Sequence, residues 1–233
     1  MCLTILPATA AAAVSDEASR GRGAGELAVE RLVRVGATVY CGGRRSRLVA
    51  LTFDDGPSRY TDVLGSELER AHARGTFFLV GERLGYWRGA LRAALRVGVL
   101  GDHTWTHAPL ASLGPHELRN EIGRTRGAEI GRTGRRVLLF RPPYGVRTPA
   151  ADSLVRRLGM LQVLWDVDDT ATGIRPGSIV LLHDGRAETP LLIRAVLHAL
   201  HARGLRAVTV PELLAHDPPK LMRDARGLRS DCR

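Results

Sequence analysis

From Leu48 onwards, short apolar segments of the chain alternate with amphipathic ones, and this alternation constrains the fold more than any other feature. Runs such as LVALTF (48–53) and TFFLV (76–80) are short and β-prone, whereas residues 61–74 carry apolar side chains at helical spacing. Strands that alternate with helices favour a parallel α/β sheet or barrel. We therefore expect one α/β domain over residues 47–216.

The same pattern places the remaining elements and two flanking segments. Further strands are expected at 137–140, 161–165, 178–182 and 205–210, and further helices at 84–97, 115–130, 149–158 and 190–202. Residues 22–46 are polar and rich in Gly and Arg, so we expect a lead-in there, with a helical stretch over 26–35 compatible with the spacing. Residues 217–233 are expected to form a polar tail.

The beginning of the chain resembles the later part of a secretory signal. A short apolar stretch precedes small residues at 9–13 that suit cleavage, although no positive charge comes first. We expect residues 1–21 to be a signal-like leader and the protein to be secreted or associated with a bacterial cell wall. Cys41 and Cys232 either pair in an oxidising compartment or remain free thiols, and the sequence favours neither.

Composition bounds the class of protein. Hydrophobic residues make up 44% of the 233 residues and charged residues 25%, which excludes a disordered, collagen-like or coiled-coil chain. No apolar run approaches the roughly 20 residues of a membrane span. The net charge of +10 invites a nucleic-acid interpretation, but all but one of the 34 basic residues are arginines, and these are scattered. This indicates codon bias rather than selection for phosphate binding, so we expect no nucleic-acid partner. We also expect the protein to be a monomer.

Polar clusters follow the predicted strands, and each alone has an ordinary explanation. The aspartates at 54–55 can bind a metal, act as a base or cap a turn. His103 and His107, at i and i+4, can share an ion on a helical turn or be surface histidines. Arg141 can hold a carboxylate or belong to a plain loop. His183 can be an acid or a buried hydrogen-bonding group.

The common position of these clusters is more informative than any one of them. Because the carboxyl ends of parallel strands lie at one edge of a sheet, we expect the clusters to form a single site. Two histidines and one carboxylate leave coordination positions open for water and substrate, as in a catalytic zinc site. A second aspartate is then free to accept a proton from the water. The chain has no G-x-S-x-G sequence, so no nucleophilic serine is expected.

Five motifs occur in the order LTFDDGPS, HTWTH, RPPYG, WDVDD and IVLLHDG. Together they resemble the motifs of the polysaccharide deacetylases, the NodB-homology family (carbohydrate esterase family 4), over residues 48–214. The resemblance implies a deformed parallel (β/α) barrel that removes acetyl groups from N- or O-acetylated sugars with a divalent metal, usually Zn²⁺, with Co²⁺ or Mn²⁺ as alternatives. The expected substrates are peptidoglycan or chitin oligosaccharides, or acetylated xylan.

The resemblance also implies a role for each motif residue. It makes Asp54 the general base, His183 the general acid, Arg141 the residue that holds Asp54, Asp168 the residue that orients His183, and Asp55, His103 and His107 the metal ligands. It places the backbone N–H of Tyr144 at the oxyanion and the side chain of Leu181 in the acetate pocket. Trp105, between the ligand histidines, either stacks on a sugar ring or packs internally.

The chain departs from the family pattern before the last motif. Asp168 is followed by DTATGI, without the Trp that is usual in the family at this motif, and residues 166–177 leave little room for a crossover helix. We expect part of one βα unit to be missing, which affects the placement of His183. Asp102 also stands where Asn is common. These departures leave open an alternative, a carbohydrate-binding pseudoenzyme with little or no turnover.

Overall fold

The structure, a computed structural model, describes residues 23–87 and 89–233, so the expected leader lies outside the described residues. The strands are β1 (Ala37–Val39), β2 (Leu48–Gly56), β3 (Gly75–Leu79), β4 (Gly98–Asp102), β5 (Leu139–Phe140), β6 (Leu161–Val163), β7 (Val167–Asp168), β8 (Ile179–His183), β9 (Arg206–Val208), β10 (Leu221–Asp224) and β11 (Gly227–Ser230). The α-helices are α1 (Ala24–Val35), α2 (Thr61–Arg70), α3 (Ala90–Val97), α4 (Pro115–Thr133), α5 (Pro149–Arg157), α6 (Thr189–Ala202) and α7 (Val210–His216). Short 3-10 helices lie at Gly81–Gly85, Leu110–Ser112 and Pro143–Gly145. None of the helices in these ranges combines the length and hydropathy needed to cross a bilayer.

The strands form one mostly parallel sheet in the order β10-β11-β1-β6-β5-β4-β3-β2-β8-β7, with β9 also paired to β2. The hairpin β10–β11 is antiparallel, and the other strand pairs are parallel. An isolated bridge between Cys41 and Ser178 and a hydrogen bond from the N–H of Gly42 to the carbonyl of Gly177 (2.8 Å) draw the end of β1 towards the start of β8. The predicted α/β fold of the deformed-barrel type is confirmed.

Apolar side chains cover both faces of the sheet. Along β2, residues 49, 51 and 53 belong to one hydrophobic cluster and residues 48 and 50 to another, as the alternation of side chains in a strand requires. In the first cluster Phe53 and Phe77 stack with their ring centroids 4.9 Å apart. Burial on both faces fixes β2, which carries two aspartates of the predicted site, at the centre of the fold.

The flanking segments belong to the sheet, contrary to the prediction of a polar lead-in and a polar tail. Helix α1 packs against α7, and β1 lies between β6 and β11. The hairpin β10–β11 follows on from β1, and a disulfide joins Cys41 to Cys232 with an S–S distance of 2.07 Å. These strands have only three or four residues and show no periodicity of their own, so pairing with distant strands determines them.

The sequence predicts one helix over 84–97, whereas the structure has a 3-10 helix at Gly81–Gly85 followed by α3. Strand β4, which comes next, is absent from the sequence prediction. A Cβ atom on Gly98 would lie 1.9 Å from the carbonyl oxygen of Gly75, so glycine is needed where β3 and β4 begin side by side. Helix α7 was also missed, although Thr209 and Glu212 form a capping box at its start.

The segment between β7 and β8 contains no helix, as expected from its length. The two strands pair in parallel, with Asp168 opposite Leu181, and residues 169–178 connect them as an irregular loop. Asp166 supports the start of β8, since its Oδ1 accepts the N–H of Ile179 (2.8 Å). The register of β8 against β2 still places His183 opposite Asp54, so the shortened unit does not displace the end of β8.

Candidate metal centre and catalytic cleft

A cleft of about 500 Å³ opens at the edge of the sheet where β2, β4 and β8 end. Most of the predicted site residues line it, together with three that the sequence analysis did not single out. The lining consists of Asp54, Asp55, His103, His107, Tyr144, Trp165, Asp168, Asp169, Leu181, His183 and Arg186. The clusters that were expected to meet at one edge of the sheet do lie together there, with Arg141 directly behind Asp54.

Asp55, His103 and His107 form a group that can hold a metal ion. Their nearest ligand atoms all lie within 4.8 Å of one another. Oδ1 of Asp55 is 3.2 Å from Nε2 of His107 and 3.7 Å from Nε2 of His103. This oxygen is buried and accepts no hydrogen bond from the described residues. A buried carboxylate oxygen facing two imidazole nitrogens fits a divalent cation, because a cation would satisfy all three acceptors.

His103 is held in the tautomer that a metal ligand requires. Its Nδ1 lies 2.7 Å from the backbone carbonyl oxygen of Arg141, and because that oxygen only accepts, Nδ1 is the donor. The lone pair of Nε2 is therefore directed at Asp55 and His107. Burial, reinforced by the neighbouring His107, lowers the pKa of His103 to about 3 despite the opposing charge of Asp55, so the ring is neutral near pH 7.

The two histidines lie on a loop and not on a helical turn. Thr104 and His107 have φ angles of 68° and 62°, in the left-handed region that non-glycine residues seldom adopt. Glu121 of α4 supports this conformation, since its Oε2 accepts the N–H groups of Trp105 (2.9 Å) and Thr106 (2.8 Å). The two rings therefore come together through the conformation of this loop, and not through the i, i+4 geometry of a helix.

Asp54 is positioned by a fully buried arginine. Nη1 of Arg141 donates to Oδ1 of Asp54 (2.8 Å) and to the hydroxyl of Thr52 (2.7 Å), and the exposed fraction of the Arg141 side chain is 0%. The other oxygen of Asp54 lies 3.7 Å from Nε2 of His103, facing the metal centre. Burial raises the pKa of Asp54, although the charge of Arg141 opposes this. A carboxylate with a raised pKa is a better proton acceptor.

His183 stands on the opposite side of the cleft and is oriented by Asp169, not by Asp168. Its Nδ1 is 2.7 Å from Oδ2 of Asp169, and Nη1 of Arg186 donates to the same oxygen (2.7 Å). Partial burial opposes protonation of His183, but the hydrogen bond and charge of Asp169, together with the charge of Asp54, raise its pKa. Such a group can donate a proton from Nε2 near neutral pH.

The geometry at the end of β7 explains why His183 contacts Asp169 and not Asp168, the preceding residue that was predicted to orient it. Asp168 is the last residue of β7, and its side chain is exposed at the cleft. Asp169 follows β7 with a φ of 38°, and this left-handed turn brings its carboxylate to Nδ1 of His183. The pair of aspartates in WDVDD signals a carboxylate at this position, but it does not distinguish Asp168 from Asp169.

The three predicted substrate-contacting residues have different environments. Tyr144 and Leu181 line the cleft, and the Tyr144 ring meets His107 edge-on with a centroid separation of 4.8 Å. Trp105 does not line it, because its ring packs at Gly81 and beneath the guanidinium of Arg124 (3.7 Å). Internal packing was the alternative for Trp105, and Trp165 is the indole that faces the cleft.

Comparison with known proteins agrees with this arrangement. The sequence profile of the family described as Polysaccharide deacetylase matches residues 42–163, more than half of the chain. The chain belongs to the polysaccharide deacetylase family. The match includes the aspartates of β2, both histidines and Arg141, and ends before Asp168 and His183.

Individual members of the polysaccharide deacetylase family extend the similarity. A peptidoglycan-N-acetylglucosamine deacetylase of Bacillus cereus is 31% identical over 192 residues, covering 73% of this chain and 89% of that protein. PgdA of Listeria monocytogenes, named with the same activity, is 30% identical over 186 residues, and this chain spans 39% of its length. The crystal structure of the Bc1960 peptidoglycan N-acetylglucosamine deacetylase superposes with a TM-score of 0.72 at 27% identity, covering 78% of this chain and 94% of that one.

Proposed function

We propose that the protein is a metal-dependent deacetylase that hydrolyses the acetamide groups of N-acetylated sugars in a cell-wall polysaccharide. One observation carries the proposal: a three-ligand metal centre shares one cleft with a proton acceptor, Asp54, and a proton donor, His183. Binding of a sugar alone needs neither a base nor an acid at such a centre. The cleft therefore favours turnover over the alternative of a carbohydrate-binding pseudoenzyme.

The residues present have complementary tasks in such a hydrolysis. A divalent cation held by Asp55, His103 and His107, zinc in our proposal, supplies Lewis acidity for water and for the acetyl carbonyl. Asp54 accepts a proton from the attacking water at Oδ2 while Arg141 holds Oδ1. The water oxygen bonds to the carbonyl carbon.

The remaining steps need groups from the other side of the cleft. The backbone N–H of Tyr144 donates to the carbonyl oxygen as negative charge develops there, and Leu181 contacts the acetyl methyl group. His183 gives its Nε2 proton to the departing nitrogen as the C–N bond breaks. The products are acetic acid, which ionises to acetate, and the free amino sugar. The proton held by Asp54 returns to His183 through solvent, so protons and electrons balance without a further reactant.

Substrate and location are part of the same proposal. The two relatives described above are named as peptidoglycan N-acetylglucosamine deacetylases, and a 31% identical protein of Pestalotiopsis is named as a chitin deacetylase. We propose peptidoglycan or chitin oligosaccharides as substrates and a monomer as the active form. The Cys41–Cys232 disulfide supports a secreted or cell-wall location, because such bonds persist in oxidising compartments.

The test is acetate release from N-acetylglucosamine oligomers and from peptidoglycan. Metal-stripped protein should be inactive and regain activity with Zn²⁺, and Asp54→Asn should lower the rate by about 10²–10⁴-fold because the base is removed. Asp62→Asn, an exposed aspartate on α2 away from the cleft, is the matched control and should behave as wild type. A chain that binds one metal ion but releases no acetate from any substrate would be the pseudoenzyme instead.

A further inference from the structure

A second and larger cavity, about 740 Å³ in volume, lies between α3, the C-terminal end of α4 and the 3-10 helix at Gly81–Gly85. It shares no lining residue with the catalytic cleft. Its apolar lining is buried or half-buried, while its arginines are exposed. We call it the arginine groove: Leu84, Leu91 and Leu95 form its apolar part, and Arg92, Arg96, Arg132 and Arg135 its charged part.

The charges of the arginine groove are scarcely neutralised. No carboxylate is among its lining residues, and the side chains of Arg92 and Arg135 have no hydrogen-bond or ion-pair partner among the described residues. Arg132 donates only to a backbone carbonyl oxygen of its own helix, at 3.3 Å. Nε of Arg96 lies 3.9 Å from Glu69, at the limit of an ion pair. Four like charges around one concavity create a positive potential that attracts an anion.

Two exposed aromatic residues directly follow one of the groove's lining residues in sequence. Gly85 lines it, and the next two residues, Tyr86 and Trp87, have 77% and 41% of their surface exposed. Exposed large aromatics beside a concave surface mark interaction sites, and their faces suit the C–H groups of a sugar or polyol. The same 3-10 helix reaches the metal centre, because Arg83 donates a hydrogen bond to the backbone carbonyl of Asp55.

We propose that the arginine groove binds an anionic cell-wall polymer, a chain of polyol or sugar units joined by phosphodiesters. Guanidinium groups are opposite in charge to a phosphodiester and can donate two hydrogen bonds to its oxygens, and the leucines suit the aliphatic parts of the repeating unit. The chain's net charge of +10 draws such a polymer in. The disulfide favours an extracellular polymer over a nucleic acid as the occupant. The groove would hold the protein at the wall independently of turnover in the cleft.

The experiment measures binding of the full chain to purified poly(glycerol phosphate) at low and at physiological salt. We expect the double variant Arg92→Gln/Arg135→Gln to bind about tenfold more weakly, since two direct guanidinium contacts are lost. The matched control is Arg119→Gln/Arg223→Gln, which removes the same net charge from two exposed arginines outside the groove and should change affinity less than about twofold. Acetate release from a short neutral oligomer, in both double variants, reports that the fold is intact.

Three outcomes would overturn the proposal. Equal weakening in both double variants would mean that net charge alone attracts the polymer. Undiminished binding by the Arg92/Arg135 variant would place the contact elsewhere. Finally, if single-stranded DNA of equal charge binds more tightly and displaces the polymer, the groove is a nucleic-acid site.

A further variant tests the contact with the polyol units. Tyr86→Ala should bind the polymer more weakly while its binding of inorganic polyphosphate stays unchanged.

Discussion

At the scale of single residues, the hydrogen bond between Asp169 and His183 determines the acid strength of the cleft. We expect Asp169→Asn to keep this hydrogen bond, because the amide oxygen still accepts from Nδ1, but to remove the charge that raises the pKa of His183. A general acid works only while protonated, so activity is lost as pH rises through its pKa. With that pKa lowered, the alkaline limb of the pH–rate profile should move to lower pH, and kcat at pH 7 should fall about tenfold.

Asp168→Asn is the matched control for this change. Asp168 is exposed at the same cleft and makes no hydrogen bond or ion pair to His183, so the alkaline limb should stay where it is in the wild type. A profile shifted by Asp168→Asn but not by Asp169→Asn would contradict the assignment and restore the role that the sequence motif implied.

Arg186 should act in the opposite direction. Its Nη1 shares Oδ2 of Asp169 with His183, and its positive charge lowers the pKa of His183. Removing that charge in Arg186→Gln should therefore move the alkaline limb to higher pH, while Arg186→Lys should restore a profile close to that of the wild type. The measurement is the pH dependence of kcat on a neutral oligomer. A shift to lower pH would mean that Arg186 mainly keeps Asp169 in place.

At the scale of elements, α4 positions the loop that carries His103 and His107, the two histidines proposed to bind the metal. Both carboxylate oxygens of Glu121 accept hydrogen bonds, from two backbone N–H groups and from the hydroxyl of Thr106. Glu121→Gln keeps only one of these two acceptor oxygens. Loss of such support for metal ligands typically costs about 10–100-fold in metal affinity. We expect a weakening of that size in a competition titration with a chelator.

Glu117→Gln on the same helix separates support of the loop from stability of the helix. Glu117 also accepts a backbone hydrogen bond, from Gly114 (2.7 Å), but it caps α4 and does not touch the histidine loop. This variant should lower thermal stability slightly and leave metal affinity unchanged. Equal losses of metal affinity in the two variants would indicate that α4 acts only through its overall stability.

The elements that sequence predicted correctly are those whose signal is local. LVALTF is apolar and β-prone throughout, so β2 and the aspartates that end it were placed correctly. Strand β4 begins at Gly98 and ends at Asp102, both poor strand formers, and only its position between β3 and β5 makes it a strand. The motifs likewise led to the group that can hold a metal ion, but they could not tell whether Asp168 or Asp169 reaches His183.

At the scale of the whole molecule, the two ends of the described chain stabilise each other. Strand β1 pairs with β11, and the Cys41–Cys232 disulfide fixes this contact across 191 residues of sequence. A covalent link between distant residues stabilises mainly by restricting the unfolded chain, by about 2–4 kcal/mol in typical proteins. Neither terminal segment shows a pattern that predicts its strands, because these short strands depend on pairing with partners distant in sequence.

Cys232→Ser should therefore destabilise the protein as a whole while sparing the cleft, because neither cysteine is among the residues that line it. For a chain of this size, a loss of about 2–4 kcal/mol lowers Tm by roughly 4–16 °C. Cys2→Ser leaves the disulfide intact and should melt like the wild type, while a reductant should lower the Tm of the wild type to that of Cys232→Ser. At temperatures well below Tm, acetate release by Cys232→Ser should match the wild type. A reductant-insensitive Tm would mean that pairing of β1 with β11 holds the ends together without the covalent bond.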